Sequence, residues 1–249
     1  MNKFIYKNKS FLLKIKRFFN STFGIEIIKY PTPELDRRIK LLKNYNIDTV
    51  LDVGANIGQY GSELRNIGFN GKIISFEPTS DAFKKLEKLA KNDKNWDVYN
   101  FSLGDFDGET EINIAKNSVS SSMLESLPQL TLSAPDAKFI DKETITVKKI
   151  DSIFDELDLK NKNIYLKIDT QGYENMVING AKNSLTQIMG LQIEMALIPT
   201  YEGAITFEEM IEKLKSFNFN TTSIESGYYD KNTGKLLEVD GVFFKNDSL

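Results

Sequence analysis

From Thr49 onward, short apolar runs alternate with stretches whose apolar residues recur every three or four positions. The runs have the length and β-branched content of buried strands, and the stretches have the spacing of helices that bury one face. The pattern predicts strands over 49–53, 72–76, 96–101, 164–168 and 191–195, with two closing strands over 221–225 and 241–244. Helices are expected over 33–45, 59–66, 80–91, 173–185 and 207–217. In the 80–91 segment Ala82, Phe83, Leu86, Leu89 and Ala90 share a face. Asn232, Thr233 and Gly234 mark a turn between the closing strands. Strands alternating with helices imply a parallel sheet covered on both faces, an α/β fold.

Two stretches break this rhythm by alternating strictly, "ETEINI" around Ile112 and "ETITVKKI" around Val147. They read as an antiparallel pair inserted between the third and fourth strands. Between them lies "AKNSVSSSMLESLPQLTLSAPDAKF", polar and serine-rich, where Ser120 to Ser122 are positioned to act as a lid. The first 24 residues differ again. Lys3, Lys7, Lys9, Lys14, Lys16 and Arg17 occur with no acid before Glu26, while Phe11, Leu12, Ile15, Phe18 and Phe19 keep helical spacing. Two readings stand: a helix that packs its apolar face on the main domain, the commoner arrangement, or one that lies on an anionic membrane or a partner. The chain thus divides into a helical extension, 1–46, and a main domain, 47–249.

Composition narrows the chemistry. The 249 residues suit one substantial domain, and no Pro/Gly/Ser-rich linker divides them. A net charge of −3 argues against broad electrostatic binding to nucleic acid. There is no cysteine and no histidine, so disulfides, thiolate sites and Ser-His triads are excluded, and any proton transfer falls to Asp, Glu, Lys or Tyr. No apolar run is long enough to span a bilayer and no secretory leader pattern appears, so a cytoplasmic protein is expected, with attachment to a membrane surface through the first helix as the variant.

The loop in "TVLDVGANIGQY" follows the first strand, where ligands bind in doubly wound sheets. A dinucleotide fingerprint needs glycine at 54, 56 and 59, but the chain has Gly54, Asn56 and Gln59, with a second glycine at Gly58. Such a loop is poorly suited to a pyrophosphate and suits a smaller group. Glu77 ends the second strand in "SFEP", placed to accept ribose hydroxyls. A nucleoside cofactor without phosphates fits both features, and S-adenosylmethionine is one. The alternative is that Asp52, Gly54 and Gly58 merely shape a turn.

With "VLDVGANIGQY", "ISFEPTSDAFKKL", "NFSLGDFDGETEI", "VKKIDSIF", "YLKIDTQGYENMVINGA" and "LQIEM" in order, the chain resembles the FkbM family of S-adenosylmethionine-dependent methyltransferases over about residues 47–244. The resemblance implies a class I methyltransferase (Rossmann-like) fold of about seven strands, the last antiparallel. It implies the methionine end of the cofactor near Asp52, Gly54 and Asn56, the ribose at Glu77, and Ser102 and Leu103 flanking the adenine. It also implies O-methyl transfer to a hydroxyl of a sugar, glycan or similar polar metabolite. N-methylation and non-catalytic cofactor binding are the alternatives. The family block D-x-E-G-x-E departs here to Asp169-Thr170-Gln171-Gly172-Tyr173-Glu174, with an amide at its centre.

Methyl transfer from a sulfonium needs an aligned nucleophile and a place for its proton. Lys167 and Asp169 lie two apart at the end of the fourth strand and share a face. Asp169 is the candidate proton acceptor or substrate holder, and Lys167 the residue that orients it. Glu194 ends the fifth strand, where it and Asp169 could share a divalent cation such as magnesium. The competing reading has these carboxylates capping helices or pairing with lysine, as expected for Glu174 in a first helical turn. Tyr201, Tyr228 and Tyr229 follow strands five and six, where aromatics either stack on a flat substrate or pack.

Overall fold

A computed structural model describes residues 2–245, with side chains from residue 11 onward. The chain forms two compact units, Met1–Arg38 and Ile39–Leu249. The first contains helix α1 (Asn2–Phe23) and the start of α2 (Pro33–Asn44). Phe11, Leu12, Leu13, Phe18 and Phe23 are exposed on α1, and the rings of Phe18, Phe19 and Phe23 cluster with centroids 5.8–6.1 Å apart.

In the second unit the strands are β1 (Thr49–Val53), β2 (Lys72–Phe76), β3 (Trp96–Tyr99), β4 (Ser102–Leu103), β5 (Gly108–Ala115), β6 (Phe139–Lys148), β7 (Ile164–Ile168), β8 (Ile188–Ala196), β9 (Phe219–Ser226) and β10 (Glu238–Lys245). The helices are α3 (Gln59–Asn66), α4 (Ser80–Ala90), α5 (Pro128–Ser133), α6 (Ile150–Ile153), α7 (Glu174–Asn179) and α8 (Phe207–Ser216). Seven strands form one sheet in the order β3-β2-β1-β7-β8-β10-β9. Its strands run parallel except β10, which is antiparallel to both β8 and β9. The doubly wound sheet with an antiparallel last strand, expected from the resemblance, is what forms.

The central strands are buried on both sides, which is why β1 and β7 read as nearly continuous apolar runs. Leu51, Leu166, Ile168, Leu191 and Ile193 join Val177 and Ile178 of α7 and Leu214 of α8 in one layer. Val50, Ile73 and Tyr165 point the other way, into a layer with Leu64 of α3 and Leu86 of α4. Each fully buried aliphatic side chain contributes about 1.5–3 kcal/mol of transfer free energy. The start of α8 is set by a capping box in which Thr206 and Glu209 bond each other's backbone N–H.

The inserted pair forms as β5 and β6, antiparallel, and β4 joins β6 to complete a second sheet. The third strand is shorter than the 96–101 expected. Asn100 leaves it to donate its side-chain amide to the carbonyl oxygens of Glu77 (3.0 Å) and Pro78 (2.9 Å). The helix expected over 173–185 stops at Asn179, where Gly180 packs against the carbonyl of Gly104. A Cβ at Gly180 would lie 1.8 Å from that oxygen.

Candidate functional site

At one level of the sheet, four neighbouring strands carry polar residues in register. Ser75 of β2 pairs with Asp52 of β1, Asp52 with Lys167 of β7, and Lys167 with Gln192 of β8. All four are buried, above a row of Ile73, Val50 and Tyr165. Polar groups at such depth require partners. Trp96 Nε1 donates to Ser75 Oγ (3.0 Å), and Ser75 Oγ donates to Asp52 Oδ2 (3.1 Å). Tyr60 of α3 donates its hydroxyl to Gln192 Oε1 (3.1 Å), whose amide donates to Asp240 Oδ1 (3.2 Å).

Lys167 is the hub of this row. Its ammonium lies 3.3 Å from Asp52 Oδ1, 3.4 Å from Asp169 Oδ2 and 3.3 Å from the Gly54 carbonyl oxygen, and it faces the Tyr60 ring. Burial disfavours the charge, but the carboxylates of Asp169 and Asp52 outweigh it and raise the lysine pKa. The two carboxylates thus favour the charged form of Lys167, which sits as an ion-pair partner beside Asp169. Asp52, expected near the methionine end, is 0 % exposed, with Oδ1 3.3 Å from the Lys167 ammonium. Asp169 differs: its side chain is 40 % exposed at the strand end.

The loop after β1 and the turn after β7 are locked together at Gly54. With φ of +74°, this residue brings its backbone against Asp169, and a Cβ would lie 1.8 Å from the Asp169 carbonyl oxygen. Asp169 N donates to Val53 O at 3.1 Å. Asn56, also left-handed, donates its backbone N–H to Glu77 Oε2 (2.9 Å), accepts the Ile57 N–H, and donates its amide to the Ser118 carbonyl (2.9 Å). Gly58 begins α3, facing Leu86 and Leu89 of α4.

Glu77 is buried, with Oε1 accepting from the backbone and hydroxyl of Thr79. Burial raises its pKa, against the Thr79 and Asn56 donors that lower it. A carboxylate has about four lone-pair sites, and these three bonds leave acceptor capacity for a ribose hydroxyl. The donor set at this strand end thus fits the nucleoside expected there. Ser102 and Leu103 do not flank an open turn. Leu103 belongs to the core, and Ser102 is buried in β4 with its hydroxyl on the Leu103 carbonyl oxygen (3.3 Å). Pairing of β4 with β6 draws them inward.

Gln171, the departure in the D-x-E-G-x-E block, occupies the space between the two expected metal ligands. Its Nε2 donates to Asp169 Oδ1 (3.0 Å) and to Glu194 Oε2 (2.9 Å). Among the described residues no group of three or more Asp, Glu, His or Cys is arranged to hold a metal ion. The Tyr201 hydroxyl lies 3.0 Å from Gln171 Oε1 and 3.2 Å from the Ser120 carbonyl oxygen, two acceptors for one proton. Tyr201 is fully buried, so it braces Gln171 and offers no stacking face, whereas Tyr229 is exposed. Gly172, at φ +92°, lets the turn pass Tyr201; a Cβ there would lie 2.7 Å from Tyr201 Cβ.

Behind this turn lies a small pocket of about 10 Å³ whose lining includes Glu174, Glu194, Glu238, Thr200 and Tyr201, room for about one water. Burial raises Glu194 well above the carboxylate range, and the charges of Asp169 and Glu238 add to it. Glu238 is raised for the same first reason, against a 2.9 Å bond from Thr200. Burial also lifts Glu174 to about 7, although it accepts bonds from Thr170 N and Gly172 N. Glu174 closes the 170–172 turn, a more specific task than the first-turn charge expected of it.

The serine-rich insertion crosses the site. Besides the Ser118 and Ser120 contacts, the Ser122 hydroxyl donates to the Gln171 carbonyl (2.7 Å), and Leu127 N donates to Thr200 O (2.8 Å). It spans from the loop after β1 to the turns after β7 and β8. Gln171, Gln192, Asn100 and Ser75 were not among the sequence candidates. For Ser75 and Gln192 the signal present was a polar residue inside a largely apolar strand; Asn100 and Gln171 lie in turns and carried no such signal.

The profile of the "Methyltransferase FkbM domain" matches residues 52–221. No curated protein matches the chain. Among solved structures, a putative methyltransferase from Thermobifida fusca is 12% identical over 86% of this chain and 79% of its own, with a TM-score of 0.49. TehB from Haemophilus influenzae is 11% identical over 93% and 67%, with a TM-score of 0.47. A putative S-adenosylmethionine dependent methyltransferase from Listeria monocytogenes is 9% identical over 86% and 98%, with a TM-score of 0.47. The assignment of the fold rests on strand order, not on these likenesses.

Proposed function

Because the chain belongs to the methyltransferase FkbM domain family and carries the class I strand order, which together imply S-adenosylmethionine as methyl donor, we propose that it transfers a methyl group to a hydroxyl of a sugar or similar polar acceptor. The observation that carries this reading is the Asp169 carboxyl: half-exposed, held from below by Lys167 and from the side by Gln171, and joined through its backbone to the cofactor loop. When bound, the cofactor supplies an electrophilic methyl on a sulfonium.

The chain's own residues do the rest. Glu77 Oε2 accepts a ribose hydroxyl. Gly54 and Asn56 shape the loop that receives the amino-acid end. Asp169 Oδ accepts the proton of the acceptor hydroxyl as its oxygen attacks, and Lys167 and Gln171 keep that carboxyl at a fixed angle. The 118–127 segment, bonded to Asn56, Gln171 and Thr200, lies across the site and borders the acceptor.

Calorimetry with S-adenosylhomocysteine, followed by mass spectrometry of products from matched hydroxyl and amine acceptor panels, tests the reading. Binding together with methylated hydroxyl products is expected. Methylation confined to amines would transfer the function to N-methylation, and binding without any turnover across both panels would count against an enzyme.

A further inference from the structure

We propose that helix α1 is a peripheral membrane anchor that lies flat on an anionic lipid bilayer. The proposal is independent of the methyl-transfer reading. At 100° per residue, Phe11, Leu12, Ile15, Phe18, Phe19 and Phe23 fall within an arc of about 140° on α1. Phe11 (63 %), Leu12 (58 %), Phe18 (57 %) and Phe23 (60 %) are exposed. Lys14 and Lys16 border this arc on its two sides, and Arg17 lies opposite. An apolar face edged by lysines is the geometry in which phenylalanines enter the headgroup boundary while lysine stems reach along it and leave their ammonium groups among lipid phosphates.

Charge selects the surface. Of the 32 basic residues, six fall in the first 25 positions, which contain no acid; the remaining 26 accompany all 35 acids, leaving that part of the chain at −9. The main body is repelled by an anionic bilayer, and the 22-residue helix is the attracted segment. Among the described residues no helix is long and apolar enough to cross a membrane, so α1 lies on the bilayer and does not span it.

Flotation of the full chain with vesicles of phosphatidylglycerol and phosphatidylcholine tests this. Binding is expected to the mixed vesicles and not to phosphatidylcholine alone, and to weaken with salt. Replacing Lys14, Lys16 and Arg17 together by Gln should weaken partition about a hundredfold, near fivefold per charge. In a Phe18→Trp chain, emission should shift to the blue only with anionic vesicles, the buried Trp96 giving a constant background. Unchanged far-UV circular dichroism and melting temperature verify that each variant is folded. Absent flotation, equal binding to both vesicle types, or no loss in the triple variant would overturn the proposal. So would a dimer by light scattering that Phe11→Ser with Phe18→Ser dissociates, since the face would then belong to a second copy.

Discussion

The side-chain amide of Gln171 donates to Glu194 at 2.9 Å, across the gap between the ends of β7 and β8. The same nitrogen reaches Asp169 at 3.0 Å, so one neutral donor separates two carboxyl groups. Tyr201 fixes its orientation from the oxygen side.

Gln171→Glu should convert this donor into a third acid. Loss of the amide donor and crowding of a third acid against Asp169 and Glu194 are expected to cost about 1–3 kcal/mol, more as pH rises and Glu194 gives up its proton. Three converging carboxyls also make an oxygen-rich cation site. Thermal melting in chelator should fall below wild type, and manganese should restore the variant while leaving wild type unmoved.

Lys167→Met removes the counter-ion of a fully buried Asp52 and should destabilise the fold by about 3–5 kcal/mol. Adding Asp52→Asn to it should recover part of that loss, because the stranded charge is gone. Urea unfolding of the two single variants and the double closes the cycle; a strictly additive result would contradict the pairing.

Asp169→Asn keeps the shape of the half-exposed side chain and its bond to Gln171 through the amide oxygen. The turnover number should fall roughly 10²–10⁴-fold, the usual contribution of a positioned base. Affinity for S-adenosylhomocysteine should be retained, which separates lost proton transfer from a lost site.

Glu77→Gln should act on the other half. Losing a charge-assisted acceptor is expected to weaken S-adenosylhomocysteine by roughly tenfold to a hundredfold, read by calorimetry. The melting temperature without ligand should fall as well, because the amide NH2 must face one of the donors from Asn56 and Thr79, so affinity is compared at a temperature where the variant is fully folded.

Glu174 has its pKa raised by burial from 4.5 to about 7. The folded state therefore holds its proton more tightly than the unfolded chain. Stability from this group is full below pH 4.5 and is lost as pH rises through about 7, by about 3 kcal/mol in the limit. Glu194 and Glu238 are raised too and act in the same direction. Melting temperature should fall from pH 5 to pH 8, and Glu174→Gln should flatten that slope.

The order of strands and helices, the inserted β pair and the loop glycine at 54 were legible in the sequence, because period and turn chemistry are local properties of the chain. So was the pairing of Lys167 with Asp169, two residues apart on one strand. Strand register was not legible, and it decided the rest. Register aligns Ser75, Asp52, Lys167 and Gln192 into one buried row, which sets the Asp52 carboxylate against the Lys167 ammonium. Pairing of β4 with β6 takes Ser102 and Leu103 into the interior. The meeting of Gln171 with Glu194 and Tyr201 spans 23 and 30 positions of sequence. Contacts at that separation arise only when neighbouring strands pack, since hydrogen bonding and desolvation depend on distance in space and leave no periodic trace along the chain.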